Sequence, residues 1–463
     1  MKNQTVLNKI NSLLPHKLEI SASLRNCIWY CLWVFAGFYL CHILQIDLIL
    51  PLFLLLIVIY LKALYRDINQ STYKFINLAF LFVLIFVASY IMLQQGVPVF
   101  YIPFCAVPML ATILFNELIV SLLLTAATAL TVAIVAGNNF YLGILFLISG
   151  MSSSLLVCGA RKRVTILRAG FIVGLVQLVL LFFVDNFYFF DSKRYIILFL
   201  NGFSCGIIVL GILPIFEYLF GTITNISLLE LADFNHPLLN RLMLEAPGTY
   251  HHSLIVGNLS EAGCTVVGAN ALLARIGAYY HDVGKLQKPE YFSENQSLTG
   301  NKHDTLSPSM SKLVIMNHVK DGVEMAQKYR LNPRLIDFIL SHHGNSLVYY
   351  FYRRALENVE EDQEVAQEGF RYPGPKPNTK EIAIVMLADS VEAAMRTLKD
   401  PANDTIKDMV HKIINNKFID GQFDECDLTL KDLERIASVF IRILSGIYHT
   451  RVNYPDEKQE PRA

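Results

Sequence analysis

AYYHDVGK, residues 278–285, sets His281 beside Asp282 in a run whose apolar residues otherwise recur at helical spacing. Such a doublet is either a polar pair on a helix surface or part of a metal site. Adjacent helical residues point about 100° apart. A doublet at a helix end therefore flanks an ion, whereas one inside a helix cannot chelate it from a single face. Gly284 follows His281-Asp282, and Gly344 follows His342-His343, as glycine commonly does just past a helix C-terminus. The polar part of the chain carries, in order, His251-His252, His281-Asp282, His303-Asp304, His318, His342-His343 and Asp389. One histidine alone would read as a surface or satisfied interior residue. The ordered set supplies imidazoles and carboxylates, which suit iron, manganese or a similar first-row ion better than a thiolate-bound structural zinc. Several helices delivering such doublets to one point would make a dinuclear site.

Around this stretch, apolar residues at helical spacing fill 251–267, 270–284, 307–328, 333–343, 347–359, 379–397, 403–416 and 428–448, with almost no strand-type alternation. An all-helical domain is expected. The segment 360–380, acidic and then reading YPGPKPN, is expected to be a mobile loop insertion. Upstream, Ser227 and Glu230 have capping-box spacing, and Pro237 and Pro247-Gly248 punctuate the chain between there and the first histidine doublet. Short helices and a turn over 221–250 are expected to form a stiff connector.

The remainder of the chain is of another kind. The whole is 54% hydrophobic and only 17% charged, and long uncharged runs concentrate the excess in roughly 24–220. Runs near 24–44, 46–64, 75–94, 99–115, 118–136, 139–159, 167–185 and 195–219 approach the roughly 20 residues a helix needs to cross a bilayer. Lys and Arg collect in the loops 65–74 and 160–166, so eight spans with both ends cytoplasmic fit the positive-inside rule. The first run reads as a retained span, because no small-residue cleavage site follows it. Glu117 and Glu217 sit at span ends and read as solvated, and no broken-helix or inverted-repeat pattern points to a transporter. The spans read as an anchor or sensor. Net charge is zero, which gives no sign of a nucleic-acid polymer as partner, and the eight cysteines show no C-x-x-C spacing.

EAPGTYHHSLIVGNLSEA (245–262), LLARIGAYYHDVGKLQKPEYFSENQ (272–296), VIMNHVKDG (314–322), YPGPKPNTKEIAIVMLADSVEAAMRTLKDP (372–401), DGQFDECDLTL (420–430) and LSGIYHTRVNYP (444–455) carry a resemblance. Together with the histidine and aspartate pattern, they resemble the bacterial seven-transmembrane HD family, in particular its PgpH-type cyclic di-AMP phosphodiesterases. The resemblance implies an all-α fold. A cytoplasmic N-terminal segment (1–23) and a membrane domain (24–220) would precede the connector (221–250), an HD phosphohydrolase domain (251–455) and a polar tail (456–463). Family members carry a large extracytoplasmic domain after a first, separate span. Here little more than Gln45-Ile46-Asp47 joins the first two runs, so the reading is of a form lacking that domain.

The resemblance further implies two divalent ions, manganese or iron, held by His252, His281, Asp282, His318, His342, His343 and Asp389, with Asp282 bridging. It implies hydrolysis of cyclic di-AMP to linear pApA at the cytoplasmic face of a bacterial inner membrane. Lipid, and a second copy of the chain, are the expected partners in regulation. Lys285, one turn beyond the doublet, is a candidate phosphate donor, or else a solvated helix-end lysine. Arg396, His303 and Tyr349, with Tyr350 and Tyr352, are further candidates for substrate contact, and the tyrosines equally suit packing. His251 reads as a surface residue. Two alternatives stay open: another nucleotide phosphoester as substrate, or a nucleotide-sensing receptor without turnover. No Gly-Tyr-Pro follows His342-His343-Gly344, which argues against cyclic di-GMP.

Overall fold

The computed structural model describes residues 72–184, 191–296, 300–357, 365–398 and 401–448. The chain divides into two compact units, Met1–Thr222 and Ile223–Ala463. Among the described residues there is no strand, only an isolated bridge between Leu347 and Arg371. The all-α expectation holds.

In the first unit lie α1 (Thr72–Gln94), α2 (Ala106–Phe115), α3 (Leu118–Val135), α4 (Phe140–Val157), α5 (Arg163–Val184) and α6 (Ser192–Phe220). Five of these helices are long and apolar enough to cross a membrane; α2 is not. They carry large apolar side chains on their outer faces as well, such as Phe171, Val179, Ile196 and Ile215, a distribution that suits lipid rather than water. Glycines let α5 and α6 cross closely: a Cβ on Gly202 would fall 2.4 Å from the backbone nitrogen of Gly174.

The run 99–115, expected as a span, is not one continuous helix. A 3₁₀ turn, Val99–Tyr101, precedes the ten-residue α2, which rises only about 15 Å, half a hydrocarbon core. Proline explains the break. Pro103 cannot donate to a continuous helix, while Pro108 is tolerated in the first turn of α2, where no intrahelical N–H bond is required. Within the break the carbonyl of Ile102 accepts from the backbone amide of Phe104 at 2.7 Å and from the side-chain amide of Asn201 on α6 at 3.0 Å. The runs 24–44 and 46–64, and the link between them, lie outside the described residues.

The second unit contains α7 (Asn225–Leu231), α8 (Pro237–Glu245), α9 (Pro247–Val267), α10 (Ala271–Tyr280), α11 (Pro308–Lys328), α12 (Pro333–Ser341), α13 (Tyr349–Glu357), α14 (Lys380–Met395), α15 (Asn403–Ile419) and α16 (Leu430–Ile447). One core gathers Val256 and Leu259 of α9, the continuously buried residues 382–388 of α14, and Ile436 and Phe440 of α16. Leu228, Leu238, Leu239 and Leu242 of α7 and α8 meet Ile276, Tyr280, Leu335 and Ile339 in a second core. The connector helices therefore pack as part of this unit, and the hydroxyl of Tyr280 donates to the carbonyl of Leu231 at 2.7 Å.

The described part of the expected mobile insertion, from 365 onward, is anchored. Arg371 pairs with Asp420 at 2.8 Å and donates to the carbonyl of Asn345, and Phe370 and Tyr372 are buried. Composition suggested mobility here, but two aromatic anchors and one arginine fix the segment.

Candidate metal centre

Helix ends bring the doublets inward. α10 stops at Tyr280, so His281 caps it and Asp282 begins a 3₁₀ turn, Val283–Gln287. In the same way α12 stops at Ser341, leaving His342 and His343 at its end. His252 projects from α9, His318 from α11 and Asp389 from α14. Gly344 is in the left-handed region at φ 55°, as a helix stop. Gly284 acts differently from the helix stop expected: it lies within the 3₁₀ turn, and a Cβ there would sit 1.8 Å from the carbonyl oxygen of His318. Its missing side chain lets the Asp282 turn dock against α11.

These residues form two groups of potential ligands. Asp282, His318, His342 and His343 make one, and His252, His281, Asp282 and Asp389 the other, with the donor atoms of each within 4.8 Å of one another. Asp282 is common to both. Its Oδ1 faces His318 Nε2 at 3.3 Å and His342 Nε2 at 3.6 Å, while its Oδ2 faces His281 Nε2 at 3.2 Å and His252 Nε2 at 3.6 Å. Asp389 approaches His252 Nε2 at 3.1 Å through Oδ1 and His343 Nδ1 at 3.7 Å through Oδ2.

The outward nitrogens fix the tautomers. Nδ1–H of His281 donates to the carbonyl of Ala278 at 2.6 Å, that of His318 to Ile315 at 2.5 Å, and that of His342 to Ile339 at 2.9 Å. His252 uses Nδ1 on the buried carboxylate of Glu392. A carbonyl only accepts, so each Nδ1 bound to one carries a proton, and Nε2 is the inward nitrogen whose lone pair a cation can use. His318 Nε2 and His342 Nε2 then face each other at 3.3 Å. Two lone pairs that close call for a proton or a cation between them. His252 Nε2, His281 Nε2 and Asp282 Oδ1 are buried without a hydrogen-bond partner, and Asp282 Oδ2 is engaged only by ion-pair contacts, among them that with Lys285. Buried polar atoms left unpaired cost stability. These convergent orphans fit divalent ions.

The charges follow the same logic. Burial opposes the imidazolium of His281, yet the carboxylates of Asp282 and Asp389 outweigh it and raise the pKa to about 10. Burial lowers His318 to about 4 against the pull of Asp282, and holds His343 well below the usual histidine value. Burial would raise Asp282 and Asp389, but the surrounding imidazoles hold both well below the ordinary carboxylate range.

Other candidate residues fall elsewhere. Lys285 is near the centre, but its ammonium contacts both Asp282 and Glu294 at 2.7 Å. Arg396 lies 3.6 Å from Glu392 and is partly exposed. His303 is buried outside both groups, donating from Nε2 to the carbonyl of Tyr291. Tyr349 and Tyr350 are exposed on α13, and His251 is exposed on α9. Three supporting residues were missed in the sequence. Glu392 orients His252, Glu294 holds Lys285, and the Tyr372 ring stacks on His343 with centroids 4.3 Å apart. Only Glu392 had a signal, since it lies one helical turn beyond Asp389.

Comparison with known proteins identifies the family. The family model described as "7TM receptor with intracellular HD hydrolase" matches residues 41–224, and the HD domain model matches 249–394. Cyclic-di-AMP phosphodiesterase PgpH of Bacillus subtilis is 41% identical over 368 residues, covering 77% of this chain and 51% of that protein. Its Listeria monocytogenes counterpart is 39% identical over 398 residues, covering 84% and 54%. The chain thus spans about half the length of the curated relatives it matches. The crystal structure of the L. monocytogenes PgpH HD domain in complex with cyclic di-AMP is 46% identical, with a TM-score of 0.45, covering 47% of this chain and 100% of its own. By its two matched segments and these relatives, the chain belongs to the family of seven-transmembrane receptors with an intracellular HD hydrolase domain.

Proposed function

We propose that this protein is a membrane-anchored phosphodiesterase that opens cyclic di-AMP to linear pApA with the help of two divalent ions, manganese or iron. The observation that carries the proposal is the pair of four-residue groups sharing Asp282, supported by relatives named as cyclic-di-AMP phosphodiesterases. His318, His342 and His343 would hold one ion, His252, His281 and Asp389 the other, and Asp282 both. Bound there, the ions would supply Lewis acidity and a water of lowered pKa directed at phosphorus. Water adds at phosphorus, the bond from phosphorus to one 3′ oxygen breaks, and that oxygen takes a proton. The product keeps the phosphate on the 5′ side.

The chain's own groups do the positioning. Glu392 keeps the Nε2 lone pair of His252 inward, and the backbone carbonyls of Ala278, Ile315 and Ile339 do so for three other imidazoles. Lys285, tied to Asp282 and Glu294, restrains the shared carboxylate. Membrane topology is inferred from the loop between α4 and α5, where Arg161 and Lys162 stand beside Arg163. Placed inside by its charge, that loop is followed by two crossings, α5 and α6. The HD unit then starts on the same cytoplasmic side.

The test uses the full chain in detergent with manganese, offered cyclic di-AMP, cyclic di-GMP and deoxynucleoside triphosphates. Preferential turnover of cyclic di-AMP to pApA is expected. Preference for a deoxynucleoside triphosphate would overturn the reading.

A further inference from the structure

The sequence offered Lys285 as the cation that meets a substrate phosphate, but its charge is already committed. Its ammonium bridges Asp282 and Glu294, both at 2.7 Å. Most other cations of the surrounding segments are also paired: Arg371 with Asp420, Lys376 with Asp424, Lys380 with Asp432, and Arg396 with Glu392. Lys417, in the last turn of α15, is different. Among the described residues its ammonium has no carboxylate within salt-bridge distance, and its hydrogen-bond partner is the neutral hydroxyl of Ser346, at 2.7 Å.

The residue carrying that hydroxyl lies three positions past His343 and is tied to it through the backbone. The amide of Ser346 donates to the carbonyl of His343 at 3.0 Å, and the carbonyl of Ser346 accepts from the amide of Tyr372, whose ring covers His343. His343 and Asp389 are also the most solvent-accessible of the seven candidate ligands, with side chains 21% and 11% exposed against 4% or less for the others. The group carrying Lys417 therefore borders the open side of the centre. Burial depresses the lysine's pKa, and Asp389 and Asp420 pull it back up. A partly buried cation that no carboxylate contacts directly, and that meets the fields of Asp389 and Asp420 only from beyond salt-bridge distance, can still take an anionic partner.

We infer that Lys417 binds an anionic phosphate oxygen of the substrate at the mouth of the metal centre. The inference rests on the phosphodiesterase reading above. Without substrate the ammonium rests against the Ser346 hydroxyl, and the substrate phosphate takes its charge.

The test compares the full-length wild type with Lys417→Met, Lys417→Arg and Ser346→Ala, all in detergent with manganese. The substrates are cyclic di-AMP and the generic diester bis(p-nitrophenyl) phosphate. For Lys417→Met the KM for cyclic di-AMP should rise roughly 10-fold or more, with kcat changed much less, as expected for loss of one charge-assisted contact made in the ground state. Lys417→Arg should recover most of that loss. Ser346→Ala should keep KM within about two-fold, since it leaves the charge in place, and metal content per chain should match the wild type in all three variants. An unchanged KM in Lys417→Met overturns the inference. So does Ser346→Ala reproducing the defect, because Lys417 would then act only by holding the His343 loop. If the wild type cleaves the generic diester but not cyclic di-AMP, the substrate reading fails and the same KM comparison on the generic diester decides Lys417. If it cleaves neither, both fall.

Discussion

Asp282 has both carboxylate oxygens engaged with imidazoles on opposite sides, so its loss should remove the link between the two groups. Asp282→Ala is expected to lower phosphodiesterase activity by at least about 1,000-fold and to leave fewer than two ions per chain by elemental analysis. Glu392→Gln is a subtler change. It keeps the shape but replaces the buried carboxylate that His252 meets, and metal affinity should weaken by about 10- to 100-fold. Protonation gives a third outcome. In the metal-free centre the pKa of His281 is raised to about 10, so at pH 7.5 it carries a proton that a cation must displace. Metal binding should therefore release protons, and apparent affinity should rise with pH up to about 10. Calorimetric titration in buffers of different ionisation enthalpy measures this; no proton release would contradict it. At this scale the seven residues that cluster were legible through the family resemblance, which their doublets of His and Asp first suggested. Glu294 and Tyr372 were not, since nothing in their local sequence announces a partner elsewhere in the chain.

Among the elements, the 3₁₀ turn after α10 shows how a glycine was misread. Both Gly284 and Gly344 looked like helix stops, but only Gly344 has the left-handed backbone of one. Gly284 is required by proximity to α11. Gly284→Ala should destabilise the protein by about 3 kcal/mol or more, because the clash is with backbone that has nowhere to move, and it should displace Asp282 from His318. Thermal unfolding with metal analysis tests both effects; full stability would refute the packing argument. Helix positions in the second unit were readable from apolar spacing to within a few residues. The interruption inside the 99–115 run was missed for a comparable reason. Hydropathy counts apolar residues but gives no weight to Pro103, and it cannot foresee the hydrogen bond from Asn201 to the carbonyl of buried Ile102.

The molecule as a whole divides into two units, and the second, which holds both cores described above, carries every residue of the candidate metal centre. Residues 223–463 produced alone should fold and bind two ions. A chelator should lower the melting temperature of this fragment by roughly 5–10 °C, on the basis of about 2.7 kcal/mol of linkage at a hundred-fold excess of ion over Kd. A fragment indifferent to chelation would mean that the clustered imidazoles and carboxylates satisfy one another. Composition revealed the two solvents of this chain, and the cationic loop before α5 suggested its orientation. What the spans respond to was not readable, because lipid-facing apolar residues carry no chemistry specific to a signal.

The two ligand groups are completed at different points of the chain. The group of Asp282, His318, His342 and His343 is fully encoded by residue 343, while the other waits for Asp389 on α14. A ribosome delivers residues in that order. A nascent chain paused between these points could assemble one coordination shell but not its neighbour. If the two groups hold ions as proposed, the second could close only once synthesis has passed the helix that also forms the middle of the core.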